Sequence, residues 1–308
     1  MNDRTRKKEK TSRKIGWKNT LVYEAMVMPS LILFLVFTVY PFLTTIRYSF
    51  TNYSNDHLFD YEFVGLQNYL DVFRLTDTTL ALKNTFIYAI LLTGLQILLA
   101  VPLAIAISNK KVKGKGALRT MFYYPGVVSS LIVGFIWKFL FSTSYFGPIN
   151  NALKALGLPM INYFGDPDIA LYSVIFTQVW QWLGYAVIII SANLMNIPDT
   201  YHESAKVDGA NGWQRFRYIT MPHLYSSISF LLIGTLTGGL KVYDVFVSTT
   251  EFGPMDSTLT VMGYMVNFAI GRGYMGLGSA FSVVFFIILI AITKLLTTLL
   301  SKWEEKIQ

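Results

Sequence analysis

Six apolar runs, each long enough to cross a lipid bilayer as a helix, dominate this sequence. They cover residues 21–46, 84–108, 120–141, 169–195, 225–247 and 279–300. A hydrocarbon core about 30 Å thick requires about 20 apolar residues in a helix. Because lipid offers no hydrogen-bond partners to the backbone, such runs must be helical. The sequence therefore predicts an all-α polytopic membrane protein with six transmembrane helices.

Composition supports a lipid environment. Only 14% of the residues are charged and the mean hydropathy is +0.44, whereas an average soluble domain has about 25% charged residues. The first run is too long for the core of a signal peptide, and no small-residue cleavage site follows it. The chain has no cysteine, which excludes disulfides and thiolate metal sites.

The distribution of lysine and arginine predicts the orientation of the chain. The N-terminal segment, the loop after the second run, the segment before the fifth run and the C-terminus hold eighteen of them, and the three other loops hold five. Positive charge accumulates on the cytoplasmic side, so both termini should lie in the cytoplasm of a cell with this protein in its plasma or inner membrane. Residues 1–20 form a basic tail, 21–46 the first transmembrane helix and 80–300 the transmembrane core. Because the tail has Trp17 as its one aromatic residue, a membrane anchor explains it better than a nucleic-acid arm.

The sequence shows no catalytic or metal-binding constellation. Its three histidines, His57, His202 and His223, are not at metal-ligand spacing, and a solvated or interfacial role suits each of them. The phosphate-binding pattern GxxxxGK[ST] does not occur in the sequence, so we expect no ATP site, no cofactor and no enzymatic activity in this chain.

A charged segment, residues 197–224, lies between the fourth and fifth runs. Thr200 and Glu203 have the spacing of a capping box that would start a short helix, and Gly209 would end it. Asn211 and Gln214 would cap a second helix, which Pro222 should kink or end near Met221. We call this segment the elbow. A plain polar connector remains the alternative interpretation.

Polar and aromatic side chains in the fourth and fifth runs are candidates for a transport pathway, because polar groups in lipid usually face a cavity or another helix. Aromatic planes beside neutral hydrogen-bonding groups suit a sugar. The alternative roles are interfacial anchoring for the aromatic residues, helix packing for the glycines, and an i, i+3 ion pair for Lys241 and Asp244. The predicted pathway residues are Gln181, Trp182, Gly184, Tyr185, Thr235, Gly238, Gly239 and Tyr243.

The elbow resembles the cytoplasmic EAA loop of permease subunits in binding-protein-dependent ABC importers. Ser204 stands where that family usually has alanine, and both residues are small. The resemblance implies the type I ABC importer permease fold, with the elbow as a coupling helix that docks on a separate ATPase subunit. ATPase closure would then move the elbow and switch a central cavity between outward and inward access. The implied coupling residues are Glu203, Ser204, Ala205, Asp208, Gly209, Ala210 and Phe216.

Other segments resemble the carbohydrate-uptake permeases related to the maltose, multiple-sugar and glycerol-3-phosphate systems. These segments are SFTNY 49–53, FVGLQNY 63–69, WLGY 182–185, NIPD 196–199, GGLKVYDVF 238–246, FGP 252–254 and YMGLGSA 274–280. The C-terminal LLSKWEEKIQ lacks the glycine-rich tail of the second permease type, so the chain resembles the first type. FGP departs from the commoner GGP at an outer turn.

The resemblance implies a heterodimer with a second permease, two ATP-binding subunits that hold ATP and Mg, and an extracytoplasmic sugar-binding protein. A neutral oligosaccharide is favoured over glycerol 3-phosphate, because the fourth and fifth runs contain no arginine for a phosphate. An ion-coupled secondary transporter remains the rival class, since Lys138, Lys241, Asp244 and Lys294 lie in or near the runs.

Overall fold

Helices form the apolar runs and much of the chain between them. The computed structural model describes residues 17–109 and 112–307, so most of the predicted basic tail, residues 1–16, lies outside the described residues. In chain order the helices are α1 (Trp17–Phe34), α2 (Tyr40–Tyr48), α3 (Gln67–Arg74), α4 (Thr76–Ser108), α5 (Lys115–Val127), α6 (Ser130–Leu140), α7 (Pro148–Ala155), α8 (Ala170–Leu194), α9 (Asp199–Val207), α10 (Gly212–Arg215), α11 (Met221–Leu240), α12 (Asp244–Thr249), α13 (Val261–Val266) and α14 (Met275–Ile307). Five-residue π-helical turns join α1 to α2 and α10 to α11, and a third extends α13 to Gly271.

Five stretches within the described residues are long and apolar enough to cross a membrane. They are Glu24–Tyr48, Asp77–Ser108, Ala170–Leu194, Gly212–Leu240 and Met275–Glu305. They correspond to the first, second, fourth, fifth and sixth predicted spans. A sixth span exists only if α5 and α6 are counted together, because these helices meet at 98°.

The prediction of one continuous third helix, 120–141, is therefore wrong. Pro125 lies inside α5 and has no N–H to continue the helical bonding, and Gly126 follows it. Val128 and Ser129 are extended, with ψ near 140° and 135°. The Gln181 side chain from α8 donates a hydrogen bond to the Val128 carbonyl at 2.8 Å, which satisfies the acceptor that the break exposes. We call Val128–Ser129 with its two flanking helices the broken span.

The fifth span also ends earlier than predicted, at Leu240 instead of residue 247. The chain breaks at Lys241 and resumes a helix at Asp244. Lys241 and Asp244 are therefore not on one helical face, and within the described residues no ion pair joins them. The predicted i, i+3 pair is wrong because its geometry depends on an uninterrupted helix.

The core forms where α4 packs against both α8 and α11. Small residues line these contacts, since Ala100 and Ala104 of α4 and Ala186 of α8 are fully buried. The larger Ile190 of α8 is buried in the same cluster. Small side chains let helix backbones approach closely, which is how membrane helices gain packing energy. By contrast, none of the apolar window in the first span is buried. This helix therefore presents its surface to lipid or to another subunit.

Candidate functional site

The first helix of the elbow, α9, begins two residues earlier than the predicted capping box would place it. Pro198 is its N-cap and no side chain caps it. Thr200 therefore lies inside the helix, where its hydroxyl is not in the N-cap position. The predicted box of Thr200 and Glu203 is wrong, because the helix already begins at Asp199, after the extended N-cap residue Pro198 (φ −60°, ψ 135°). Asp199 in the first turn carries the negative charge that a helix N-terminus favours.

The end of α9 agrees with the prediction. Gly209 has φ +81°, a left-handed conformation that glycine adopts without steric cost. The Ala210 N–H donates to the Ala205 carbonyl at 2.8 Å, and the Gly209 N–H donates to the Lys206 carbonyl at 3.1 Å. This pair of bonds is a Schellman motif. It fixes the direction in which the chain leaves α9.

The start of the second elbow helix also agrees. The Asn211 side chain accepts from the Gln214 N–H at 2.9 Å, and the Gln214 side chain accepts from the Asn211 N–H at 2.8 Å, which completes a capping box. The sequence predicted a kink or an end near Met221. The helix does not end there, because Gly212–Leu240 is one continuous helical stretch, but its α-helical form is interrupted just before that residue. The π-helical turn Phe216–Thr220 directly precedes Pro222 and accommodates it.

The predicted coupling residues divide into exposed and supporting ones. Glu203, Ser204, Asp208 and Gly209 are exposed and Ala205 and Ala210 are half-buried. Phe216 instead packs against the apolar cluster that joins α4, α8 and α11, so it anchors the elbow to the core. Sequence reasoning missed the exposed apolar side chains beside the motif, which are Tyr201, Val207, Trp213 and Tyr218.

A cavity of about 700 Å³ lies among α4, α8 and α11. Six of the eight predicted pathway residues line it: Trp182, Tyr185, Thr235, Gly238, Gly239 and Tyr243. The structure therefore brings together side chains from two spans that are far apart in the sequence. Both aromatic and neutral polar groups face the same space.

The other two predicted pathway residues, Gln181 and Gly184, do not line this cavity. Both residues instead support the packing between helices. Gln181 is fully buried and accepts a hydrogen bond from Gln178 at 2.7 Å while it donates to the broken span. A Cβ on Gly184 would overlap the Phe122 carbonyl of α5. Gly184 thus allows the close contact between α5 and α8, which is the packing role that the sequence left open for the glycines.

Sequence reasoning missed the part of the cavity wall that α4 provides. Tyr88 and Gln96 of α4 line the cavity, together with Ser130 at the start of α6 and Gln178 of α8. Gln96 is 1% exposed, its amide nitrogen donates to the Trp182 carbonyl at 2.8 Å, and its Oε1 has no partner among the described residues. The available signal was an amide inside an otherwise apolar run, since such groups usually face a cavity or another helix.

Lys241 and Asp244 line the same cavity. Because they form no ion pair with each other, the wall has a separate positive and a separate negative group. Their formal charges cancel, so the wall favours neither an anionic nor a cationic solute by net charge.

The loop after α12 is held by specific contacts. Lys138 of α6 donates a hydrogen bond to the Glu251 carboxylate at 2.9 Å, which lowers the pKa of that carboxyl below its usual value. Phe252, the first residue of the unusual FGP turn, fills the space that a Cβ at Gly263 would need and stacks on Phe246 with 6.5 Å between ring centroids. The phenylalanine therefore has a packing role in this turn.

The histidines do not cluster. His57 Nδ1 lies 3.5 Å from Asp60 Oδ1 in the loop between α2 and α3, and the His223 ring contacts the Ile219 carbonyl at 2.7 Å within its own helix. Among the residues that the structure describes, no group of three or more histidine, cysteine or carboxylate side chains could hold a metal ion.

Comparison with known proteins places this geometry in a family. Residues 96–306 match the family described as binding-protein-dependent transport system inner membrane component. This region contains α8, the elbow and α11. The chain belongs to this family. Membership excludes the ion-coupled secondary transporter that the sequence left open, and it makes the chain a membrane-embedded transport component of an ABC importer and not an enzyme.

Relatives match nearly the whole length of this permease. It is 36% identical over 300 residues to the probable ABC transporter permease protein YesP of Bacillus subtilis (strain 168), covering 96% of this chain and 94% of that protein. It is 29% identical over 294 residues to the arabinooligosaccharides transport system permease protein AraP of Halalkalibacterium halodurans, covering 94% and 92%.

A solved structure confirms the fold. A chain in the crystal structure of a bacterial alginate ABC transporter, in complex with its alginate pentasaccharide-bound periplasmic protein, superposes with a TM-score of 0.80. The alignment covers 93% of this chain and 96% of that one at 23% identity. The predicted all-α, type I importer permease fold is therefore confirmed.

Proposed function

We propose that this permease forms half of the membrane channel of an ABC sugar importer and carries a neutral oligosaccharide through the cavity among α4, α8 and α11. The observation that carries the proposal is the composition of the cavity wall. The rings of Trp182, Tyr185 and Tyr243 lie beside the hydroxyl of Thr235 and the amide of Gln178. Aromatic faces stack on the CH faces of a sugar, and neutral polar groups match its hydroxyls.

Gln96 strengthens this interpretation. Its buried Oε1 has no partner in the described structure, and an unsatisfied buried acceptor costs about 1–3 kcal/mol. This oxygen has almost no accessible surface in the described structure, and a small movement of the Gln96 side chain would let a sugar hydroxyl in the cavity donate to it. The cavity volume of about 700 Å³ is also within the range of small-molecule sites.

Charge favours a neutral sugar over glycerol 3-phosphate. No arginine of the described residues lines the cavity, whereas Asp244 does. Phosphate recognition favours the two-pronged guanidinium of arginine, and the positive charge of Lys241 in the wall is offset by Asp244. The relative named as an arabinooligosaccharide permease supports an uncharged oligosaccharide.

The assembly would contain a second, related permease, two ATP-binding subunits that hold ATP and Mg, and an extracytoplasmic sugar-binding protein. The alginate transporter, which was solved with a loaded periplasmic protein, supports this arrangement. In the orientation that the lysine and arginine distribution favours, both termini and the elbow face the cytoplasm. Exposed Glu203 and Asp208 could then accept charge-assisted hydrogen bonds from an ATPase subunit.

ATP hydrolysis by the purified complex with its binding protein tests the substrate class. Neutral arabinose-, maltose- and raffinose-type oligosaccharides would be compared with glycerol 3-phosphate and an acidic oligouronate. We expect at least one neutral oligosaccharide to stimulate hydrolysis and neither anion to do so. Stimulation by an anion alone would contradict the proposal.

The Gln96→Leu variant tests whether the cavity binds the sugar. Loss of one hydrogen-bond partner should raise the half-maximal sugar concentration by about 2- to 10-fold. Thr93→Val is the matched control, because the buried Thr93 hydroxyl donates to Ala89 within its own helix and does not line the cavity. Equal responses of the two variants would remove Gln96 from the proposed site.

A further inference from the structure

A second groove lies between α11 and α14, outside the proposed sugar cavity. Its volume is about 560 Å³. The polar side chains that line it are Thr237 and Lys241 from α11 and Thr293, Lys294, Thr297 and Thr298 from α14. Apolar residues of α14 complete the wall. We call this space the α11–α14 groove.

The groove runs along the membrane-spanning part of both helices. Tyr225 of α11 donates to the Leu300 carbonyl of α14 at 2.8 Å, which places these two residues at a similar depth, near the end that the lysine and arginine distribution predicts to be cytoplasmic. From the helical rise, Lys294 lies about 9 Å further into the membrane and Lys241 about 24 Å further in. The two ammonium groups therefore lie toward opposite ends of the groove.

Neither ammonium group has an anionic partner. Within the described ranges, Lys241 and Lys294 form no ion pair and no side-chain hydrogen bond. Charged side chains at this depth are costly and usually pair with an opposite charge. Asp244 lies on the cavity side of Lys241, so Lys294 is the cation without a nearby carboxylate in the groove.

The threonines of the groove have spare acceptor capacity. The Thr237 hydroxyl donates to the Ile233 carbonyl at 2.7 Å, and the Thr297 hydroxyl donates to the Thr293 carbonyl at 2.8 Å. Each donor is thus used within its own helix, and each oxygen can still accept a bond. Hydroxyl-bearing residues of this size are typical of surfaces where another membrane helix approaches closely.

We propose that the α11–α14 groove receives a membrane helix of the second permease and that this helix presents an aspartate or glutamate to Lys294. This inference rests on the proposed function, which supplies the second permease. Lys241 lines both the groove and the sugar cavity, so the two spaces adjoin each other. Lys294 is exposed on the surface of this chain, and a helix in the groove would cover it and neutralise its charge.

The depth of Lys294 favours a protein over an anionic lipid as the occupant. A lipid headgroup resides at the membrane surface, whereas Lys294 lies about 9 Å from the end predicted to be cytoplasmic. From Phe286 to Thr298 the wall extends over about 18 Å, the length of a helix of about 12 residues. Such a helix can place a carboxylate at the level of Lys294.

Carbodiimide crosslinking of the assembled transporter in membrane vesicles tests the proposal. A membrane-permeant carbodiimide such as dicyclohexylcarbodiimide activates a carboxylate, which forms an amide with a lysine amine only where the two groups touch. Mass spectrometry should find the peptide that contains Lys294 joined to an acidic residue in a membrane span of the second permease. Lys294→Gln should abolish this product and reduce co-purified second permease about tenfold.

Two further variants separate an ion pair from a general effect of substitution. Lys294→Arg keeps the positive charge but removes the reactive amine, so it should retain the second permease and lose the crosslink. Lys302→Gln removes an exposed lysine beyond the groove and should change neither.

Other results would overturn the inference. Sugar-stimulated hydrolysis by a complete complex in which Lys294 gives no crosslink to the second permease would reject the inference but leave the proposed function intact. A Lys294 adduct with phosphatidylserine alone would identify the groove as a lipid site. If no second permease co-purifies with the wild-type chain, the proposed function itself fails.

Discussion

Gly184 lies where α8 crosses α5, and its missing side chain decides how closely the two helices approach. An added Cβ would overlap the Phe122 carbonyl, a backbone atom that cannot move aside by a change of rotamer. We expect Gly184→Ala to destabilise the protein by about 1–3 kcal/mol. The loss should be visible as a lower midpoint of thermal aggregation, measured by size-exclusion chromatography in detergent.

Gly94→Ala is the control for this substitution. Gly94 also lies within a spanning helix, α4, but an added Cβ there has no neighbour within 4 Å. This variant should melt at the same temperature as the wild type or slightly higher, because alanine favours helix more than glycine does. A Gly184→Ala protein as stable as Gly94→Ala would show that α5 and α8 can separate without cost.

The broken span depends on a hydrogen-bond relay that starts at the cavity. Gln178 donates to Gln181, and Gln181 donates to the exposed Val128 carbonyl. Gln181→Leu should leave both partners unpaired and cost about 1–3 kcal/mol for each. Gln178→Leu should cost less, since the bond to Val128 remains. Thermal unfolding of the two variants in parallel checks this order, and a more stable Gln181→Leu than Gln178→Leu would contradict it.

The elbow offers a matched pair of glycines for a test of coupling. Gly209 has φ +81°, whereas Gly212 has no left-handed φ, and an added Cβ meets no atom within 4 Å at either site. Gly209→Ala should therefore strain the backbone by about 1–2 kcal/mol, and Gly212→Ala should not. We expect the first variant to lose sugar-stimulated ATP hydrolysis and the second to retain it. Equal hydrolysis in both would mean that the exit angle from α9 does not matter for coupling.

The absence of cysteine makes the topology of the whole molecule directly measurable. Single cysteines can replace three highly exposed residues: Tyr145 and Met255 in the predicted outer loops and Val207 in the elbow, which are 86%, 87% and 89% exposed. A membrane-impermeant maleimide should label Tyr145→Cys and Met255→Cys in intact spheroplasts. It should label Val207→Cys only after permeabilisation. Labelling of Val207→Cys in intact spheroplasts would reverse the proposed orientation.

At the scale of the whole molecule, local sequence patterns predicted most of the architecture. The apolar runs predicted where the long helices lie, because burial of a helix in lipid depends on the composition and length of one segment. Asn211 and Gly209 were predicted as caps, because a capping bond joins residues only a few positions apart. The box of Thr200 and Glu203 was wrong because the helix begins at Asp199, before the motif, with Pro198 as its N-cap.

The sequence by itself determined the class of protein, the membrane helices and the elbow, since each depends on interactions within one short segment. Tertiary structure decided the break at Val128, which Gln181 stabilises from another helix, and the separation of Lys241 from Asp244. It also decided that Gln96 and Tyr88 join the cavity wall, whereas Gln181 and Gly184 serve packing. These outcomes depend on contacts between residues far apart in the chain, and the periodicity of one helix carries no information about which neighbour its face will meet.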